Sequence, residues 1–386
     1  MILTQCAVCA TELGLTLGKK CGRCSTRYCG PECQKQHWES GGHDKLCKQI
    51  KKAGGAEQYN ANNRYTEAVT VAAEACAEDT KGQTCFICTQ ALHWKTKEGL
   101  VRGCSCRGTA GFVHVSCLAE QAKILVADAQ ERNLDNDKWE RWHTCSLCEQ
   151  QYHGVVACAL GWACWKTYLG RPETDWIGCY AMTNLGNGLA AANHNEEALS
   201  VREAHLATLL RLDTSKEDIL IMQTNIANSY QKLGRLEEAM CMRRDMYSGW
   251  FKLKGEEHRD TLAAAINYGS SLMTLKRFKE AKALLRKTMP VAQRVHGESN
   301  ELTLRMRVNY AQSLYCDDGA TLDDLREAVT TFEDMEPTVR RVLGGAHPLT
   351  VATELRLQLA RAVRAARDGG VSAIRDAVEA MTPGGA

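Results

Sequence analysis

An excess of charge of either sign is lacking: 48 Lys and Arg stand against 46 Asp and Glu, a formal net charge of +2. Wholesale nucleic-acid binding is therefore not expected, because it usually takes a strongly basic face to displace counterions from phosphates. Only the first 52 residues lean basic, with nine Lys and Arg against four acids, and a solvated surface accounts for that bias. Long apolar runs are lacking too. The longest, residues 155–165, is about half the roughly 20 residues that a helix needs to cross a bilayer. No signal peptide precedes Cys6, so a reducing compartment, cytoplasmic or nuclear, is expected, with no membrane partner. No Gly-rich phosphate loop, serine-histidine-acid set or carboxylate pair stands out from the background, so no catalytic residue is assigned.

What is abundant is cysteine, at 20 residues. In a small secreted protein that number would mean disulfides, but the spacings here are those of metal sites. The first set is Cys6, Cys9, Cys21, Cys24, Cys29, Cys33, His43 and Cys47; the second is Cys85, Cys88, Cys104, Cys106, His114, Cys117, Cys145 and Cys148. Structural zinc takes four thiolate or imidazole ligands, and paired cysteines two or three apart place two sulfurs on one metal without straining the chain. Each set of eight therefore suits two zinc ions, four in all, with no open position for metal catalysis. Cys76, Cys158, Cys164, Cys179, Cys241 and Cys316 fall outside the sets and read as small buried apolar residues.

The first set, with CxxC, eleven intervening residues, CxxC, then Cys29, Cys33, His43 and Cys47, resembles the MYND finger. The resemblance implies alternating ligands: Cys6, Cys9, Cys29 and Cys33 on one zinc, and Cys21, Cys24, His43 and Cys47 on the other. Such a cross-brace ties distant segments together where little hydrophobic core exists. The stretch Cys33-Gln34-Lys35-Gln36-His37-Trp38 is similar to the family's second half, in which the glutamine and tryptophan positions border a groove for short proline-containing peptides. Gln34 and Trp38 are candidates for that surface, the alternative being that Trp38 packs over the zinc cluster. Nine residues separate Cys33 from His43, more than the family usually has, so His37 competes as the seventh ligand. The HxxxC spacing to Cys47 favours His43.

The second set reads C4HC3. Plant homeodomain fingers share that order, but the CxC pair at Cys104 and Cys106 and the seven residues before His114 resemble the RING-CH variant. By that resemblance Cys85, Cys88, His114 and Cys117 form one site and Cys104, Cys106, Cys145 and Cys148 the other. The family is known for ubiquitin ligases, which bind a ubiquitin-charged conjugating enzyme and orient its thioester with no covalent intermediate of their own. Ile87 matches the apolar contact with the conjugating enzyme, and Leu147 sits in the second contact loop; packing beside zinc is the structural alternative for both. The chain departs from the family at Gln121, where tryptophan is usual, and at Glu149, where a basic residue is frequent. Trp139 and Trp142, in the 27-residue spacer from Leu118 to Thr144, are candidates to replace the lost aromatic surface.

Behind the cysteines, self-similarity begins. Asn184, Asn225, Asn267 and Asn309 recur in matching contexts at intervals of 41, 42 and 42, and Ala198, Ala239 and Ala281 each lie fourteen residues after the first three, preceded by Glu. A period of this length with two helical segments per unit means a solenoid. Period and punctuation, Gly255-Glu-Glu-His258, Gly297-Glu-Ser-Asn300 and Gly344-Gly-Ala-His347-Pro348, resemble the tetratricopeptide (TPR) repeats of kinesin light chains. Such arrays bind extended peptides along the face lined by each unit's first helix. Asn184, Asn225, Asn267 and Asn309 are the peptide-binding candidates, because amides can satisfy a backbone of any sequence; bonding to neighbouring helices is the alternative.

The expected fold is mainly α: two small cross-braced zinc-binding modules followed by an α-helical TPR solenoid. The expected division is a MYND finger at 1–50, a helical linker at 51–82, a RING-CH finger at 83–154, a half-repeat plus about four repeats at 155–370 and a tail at 371–386. The linker reads as a semi-rigid spacer with Tyr65, Ala68, Val69, Ala72, Ala73 and Cys76 on one face. The half-repeat begins five residues after Cys148, which leaves no flexible linker between finger and array. Two functions follow. One is a ubiquitin ligase, with the RING-CH module recruiting a charged ubiquitin-conjugating enzyme and the repeats or the MYND finger recruiting a protein substrate. The other is a non-enzymatic scaffold with a degenerate RING-CH module, favoured by Gln121 and Glu149. A SET-type lysine methyltransferase, which splits its catalytic domain around a MYND finger, is not expected with five residues before Cys6.

Overall fold

The computed structural model describes residues 4–14, 17–132, 134 and 136–369, so the tail at 371–386 lies outside the described residues. Two short strands, β1 (Lys19–Lys20) and β2 (Arg27–Tyr28), pair antiparallel with Lys19 opposite Tyr28. The helices are α1 (Pro31–Glu39), α2 (His43–Lys52), α3 (Ala56–Ala75), α4 (Val115–Glu131), α5 (Gly154–Tyr168), α6 (Trp176–Ala191) and α7 (Asn195–Arg211). They continue with α8 (Lys216–Lys232), α9 (Leu236–Lys254), α10 (Arg259–Thr274), α11 (Phe278–His296), α12 (Glu301–Tyr315), α13 (Leu322–Leu343) and α14 (Pro348–Gly369). Two compact units result, Met1–Leu233 and Gly234–Ala386. Among the described residues no helix is long and apolar enough to cross a membrane.

Within the first unit, the segment through α2 buries little besides its cysteines. Cys6, Cys21, Cys24 and Cys47 share a small cluster with Leu13, Tyr28, Ile50 and Ala56. Four of these eight are thiols, so metal binding rather than apolar burial must supply most of the folding energy. The cluster is tied to α3 by the Ala56 amide donating to the Cys24 carbonyl at 3.0 Å and by Arg27 donating to Glu57 Oε1 at 3.1 Å.

The helix that reads from sequence as a spacer is instead part of the core. Ala61, Tyr65, Val69 and Ala72 of α3 are buried in the same cluster as Val101, Val113 and Leu118 of the RING-CH segment and Trp162, Leu185 and Ala204 of the helices beyond. Polar contacts repeat the connection. Tyr65 Oη and Ser116 Oγ lie 2.9 Å apart, the Lys166 ammonium sits 3.6 Å from the Tyr65 ring centroid, and Arg64 pairs with Glu197. The sequence marks the apolar face correctly, but its partners are distant in the chain, from Ser116, 51 residues beyond Tyr65, to Glu197, 133 beyond Arg64, and leave no local trace.

α5 is buried nearly all round, including Val156, Leu160, Trp162, Cys164 and Tyr168, as expected of a helix without a polar face. It approaches α6 so closely that a Cβ on Gly188 would come within 2.5 Å of the Ala157 carbonyl, which only glycine tolerates. The chain between Cys148 and α5 is pinned, with the Tyr152 amide on the His143 carbonyl and the His153 amide on the Gly103 carbonyl, both at 2.8 Å. Finger and first helical hairpin thus share one core.

Helical hairpins continue through α7 and α8 in the first unit and α9 to α14 in the second. Ala198, Ala239, Ala281 and Ala328 are at most 2% exposed, as close helix approach requires. The recurrent Gly-x-x-His/Asn punctuation has a mechanical basis. Gly255, Gly297 and Gly344 end helices at φ of +83, +84 and +88°, a region L side chains avoid, and the residue three later caps the next helix. His258 Nδ1, Asn300 Oδ1 and His347 Nδ1 accept from the amides of Asp260, Leu302 and Leu349 at 3.2, 2.9 and 3.1 Å. Where this rhythm lengthens, between α12 and α13, Thr321 and Asp324 form a reciprocal capping box.

Candidate metal centres and binding surfaces

Sixteen side chains converge in four groups: Cys6, Cys9, Cys29 and Cys33; Cys21, Cys24, His43 and Cys47; Cys85, Cys88, His114 and Cys117; and Cys104, Cys106, Cys145 and Cys148. Within each group all ligand atoms lie within 4.8 Å of one another. Individual separations include Cys21 to Cys47 at 3.9 Å, Cys106 to Cys145 at 3.8 Å, and 3.4 Å from Cys24 Sγ to His43 Nε2. A tetrahedron of sulfurs about 2.3 Å from zinc has edges of about 3.8 Å, close to these separations, so the donor sets suit that ion. His43, not His37, stands in the second group; His37 Nδ1 instead lies 3.0 Å from the Tyr28 hydroxyl.

Crowding also shows in how the thiols ionise. The Thr11 hydroxyl pulls Cys9 down to about 6, while the hydrogen bond with Cys29 pushes Cys33 up to about 12. Burial pushes Cys47 up to about 12 and Cys104 to about 11. Thiols packed this closely cannot all become thiolates beside one another unless a cation neutralises them. A divalent metal does that, and the sets hold zinc's preferred sulfur and imidazole donors with no carboxylate.

Ile87 and Leu147 occupy equivalent places in two knuckles. Each donates its amide to the sulfur two residues before it, Cys85 or Cys145, at 3.4 Å. Each knuckle closes on a residue of positive φ, Thr89 at +61° or Glu149 at +56°. The backbone turns so tightly around the metal that the side chain between the cysteines faces outward: Ile87 is 38% and Leu147 52% exposed. Gln121 is half-buried on α4, and Glu149 is exposed. Trp139 and Trp142, offered by the sequence as a replacement surface, are 5% and 1% exposed. Their rings pack on Tyr168, Trp139 also touching Trp176 and Tyr180, so they belong to the core and are unavailable to a partner.

Gln34 is half-buried, and Trp38 is exposed while its ring centroid lies 5.8 Å from that of His43. Trp38 therefore both covers a ligand and offers surface. The four asparagines divide. Asn184 is buried with its amide nitrogen 3.7 Å from Cys164 Sγ, and Asn309 donates to Ser270 Oγ at 2.9 Å, so these two bond neighbouring helices. Asn225 and Asn267 are half-buried and line clefts, Asn225 beside Asn187, Arg202 and Lys232, Asn267 beside Arg259, Asn300 and Arg305.

Two residues that the sequence reading passes over are Arg202 and Arg243, each 7% exposed. Arg202 donates to Ser229 Oγ at 2.6 Å, the Asn225 carbonyl at 3.1 Å and Asn187 Oδ1 at 3.0 Å; Arg243 donates to Ser271 Oγ at 2.7 Å. Burial lowers the Arg202 guanidinium to about 10. Their spacing of 41 residues, equal to the repeat period, was the available signal.

Residues 6–47 match the MYND finger, residues 85–148 the RING-variant domain and residues 261–300 a tetratricopeptide repeat. Among solved structures, the nearly identical kinesin light chain TPR-like repeats of Podosopora anserina align at 19% identity and TM-score 0.42, over 52% of this chain and 93% of that one. BtubC (BKLC) from P. vanneervenii aligns at 12% identity and TM-score 0.45, over 69% of this chain and 87% of that one. Comparison with curated proteins finds no match. The chain carries a MYND finger, a RING-variant domain and TPR repeats, which makes it a zinc-binding, protein-interacting molecule of mainly α fold.

Proposed function

We propose that this chain is a RING-type ubiquitin ligase whose RING-CH module recruits a charged ubiquitin-conjugating enzyme while the TPR repeats, with the MYND surface, recruit a protein substrate. The observation that carries the reading is the pair of metal-built knuckles presenting Ile87 and Leu147 outward in matched geometry. A ligase of this class needs no nucleophile of its own; it positions a thioester, and a preorganised surface is the whole of its chemistry. The core shared between finger and first hairpin serves the same end, because a substrate held on α6 and α8 would stand in fixed relation to the recruited enzyme. Zinc in this account is structural, held by the sixteen grouped residues, and the compartment proposed is cytoplasmic or nuclear.

A second reading, a non-enzymatic scaffold, is favoured by Gln121 and Glu149. Both leave the module's shape intact but weaken the contact it would make. Autoubiquitination across a panel of conjugating enzymes separates the two. For a ligase, zinc-loaded wild type forms conjugates, Ile87→Ala loses most of them without loss of fold, and His114→Ala forms none. Absence of product with every conjugating enzyme, from protein with all metal sites filled, establishes the scaffold.

A further inference from the structure

One position in the repeats changes character along the array. Four residues after the close-approach alanines Ala198, Ala239, Ala281 and Ala328 stand Arg202, Arg243, Leu285 and Phe332. Leu285 and Phe332 are 0% exposed, so the position suits an apolar side chain, yet Arg202 and Arg243 are nearly as buried there. A buried cation is costly unless an opposite charge balances it. Arg202 has no such balance. Among the described residues its partners are three neutral oxygens: the Asn225 carbonyl and Ser229 Oγ accept from Nη1, and Asn187 Oδ1 accepts from Nη2. A guanidinium carries five donor hydrogens, so Nε and one hydrogen of Nη2 are left over.

The guanidinium borders a cleft that lies wholly within the first unit, lined by Asn187, Arg202, Asn225, Asn228, Gln231 and Lys232. Two cations and four side-chain amides face one another there, and among the described residues no carboxylate lines the cleft. The Ala190 carbonyl holds the Lys232 ammonium at 3.3 Å. Asn187 directs its oxygen to Arg202, which leaves its amide nitrogen to donate elsewhere. A single carboxylate would balance only one of the two cations, whereas a phosphomonoester carries a charge of about −1.5 to −2 at pH 7 and three strong acceptor oxygens. We propose that this cleft binds the phosphate of a phosphoserine or phosphothreonine in a substrate peptide, with Arg202 and Lys232 as its cations and Asn187 as a neutral donor. The neutral contacts of Arg202 fix the guanidinium before any ligand arrives, so little ordering is left for binding to accomplish. This assignment rests on the reading that the repeats recruit a protein, and it adds that the recruited protein is marked by phosphorylation.

Retention of degenerate peptide pools on the immobilised, zinc-loaded full chain, with no conjugating enzyme present, tests it. The pools are identical except for a central phosphoserine, serine or glutamate. The phosphoserine pool is expected to bind at least about tenfold more tightly than either of the others, as charge-assisted hydrogen bonds to a dianion would give. Lys232→Glu, a change at an exposed position, and Arg202→Leu, which installs the residue found at this place in α11, are each expected to remove that preference. Equal retention of the phosphoserine and serine pools overturns the proposal, as does retention of none of the three. A glutamate pool held as tightly as the phosphoserine pool overturns the phosphate assignment, and a phosphoserine preference that survives either variant overturns the site. Ligase activity, read separately by autoubiquitination, stands or falls without any of these results.

Discussion

Removal of zinc is expected to unfold helices that bind no metal. Cys85, Cys104, Cys117 and Cys145 lie in the same buried cluster as Tyr65 of α3, Trp162 of α5, Leu185 of α6 and Ala204 of α7. A structural zinc contributes roughly 10–16 kcal/mol to the folding of small metal-built modules, whereas whole domains are stable by about 5–15 kcal/mol. Loss of both RING-CH ions therefore exceeds what the first unit can absorb. The second unit keeps its own apolar clusters, and among the described residues none of the four ligand groups falls within it. Chelation monitored by circular dichroism should accordingly abolish the near-ultraviolet tryptophan signal from Trp139, Trp142 and Trp162 but leave substantial helical signal from α9 to α14. Complete metal release with an unchanged aromatic signal would mean that the helical core stands without the fingers.

Trp142→Ala is expected to cost about 3–5 kcal/mol, the range for large aromatic truncations in a packed core. Its side chain is 1% exposed, with ring centroids 6.3 Å from Trp139 and 5.6 Å from Tyr168. Over a unit of this size that corresponds to a fall in Tm of roughly 10 °C. Ile87→Ala, at an exposed position, is expected to shift Tm little and to act on partner binding instead. Calorimetry alongside a titration of conjugating enzymes separates the two. An unchanged Tm for Trp142→Ala together with lost binding would move that tryptophan back to the interaction surface.

The contrast between these two residues marks where sequence reading works. Metal-ligand spacing is local chemistry: CxxC, CxC and HxxxC state which donors can share an ion, and the alternating sets are legible before any fold is known. Repeat period is legible for a similar reason, since every unit restates the same Glu-Ala approach and the same Gly-to-cap turn. Long-range pairing leaves no such mark. That α3 packs on α5, that Trp139 and Trp142 turn inward, and that Asn184 and Asn309 bond neighbouring helices all depend on what the other side of the core presents. Arg202 and Arg243 lay between these cases, because periodicity marks them but burial explains them.

Native mass spectrometry of the intact chain and two variants tests the zinc architecture most directly. Wild type should carry four zinc ions, His37→Ala should also carry four, and His43→Ala should carry three. Fewer than four ions in fully zinc-loaded wild type, or loss of one from His37→Ala with none lost from His43→Ala, would contradict the grouping on which the fold and the proposed function stand.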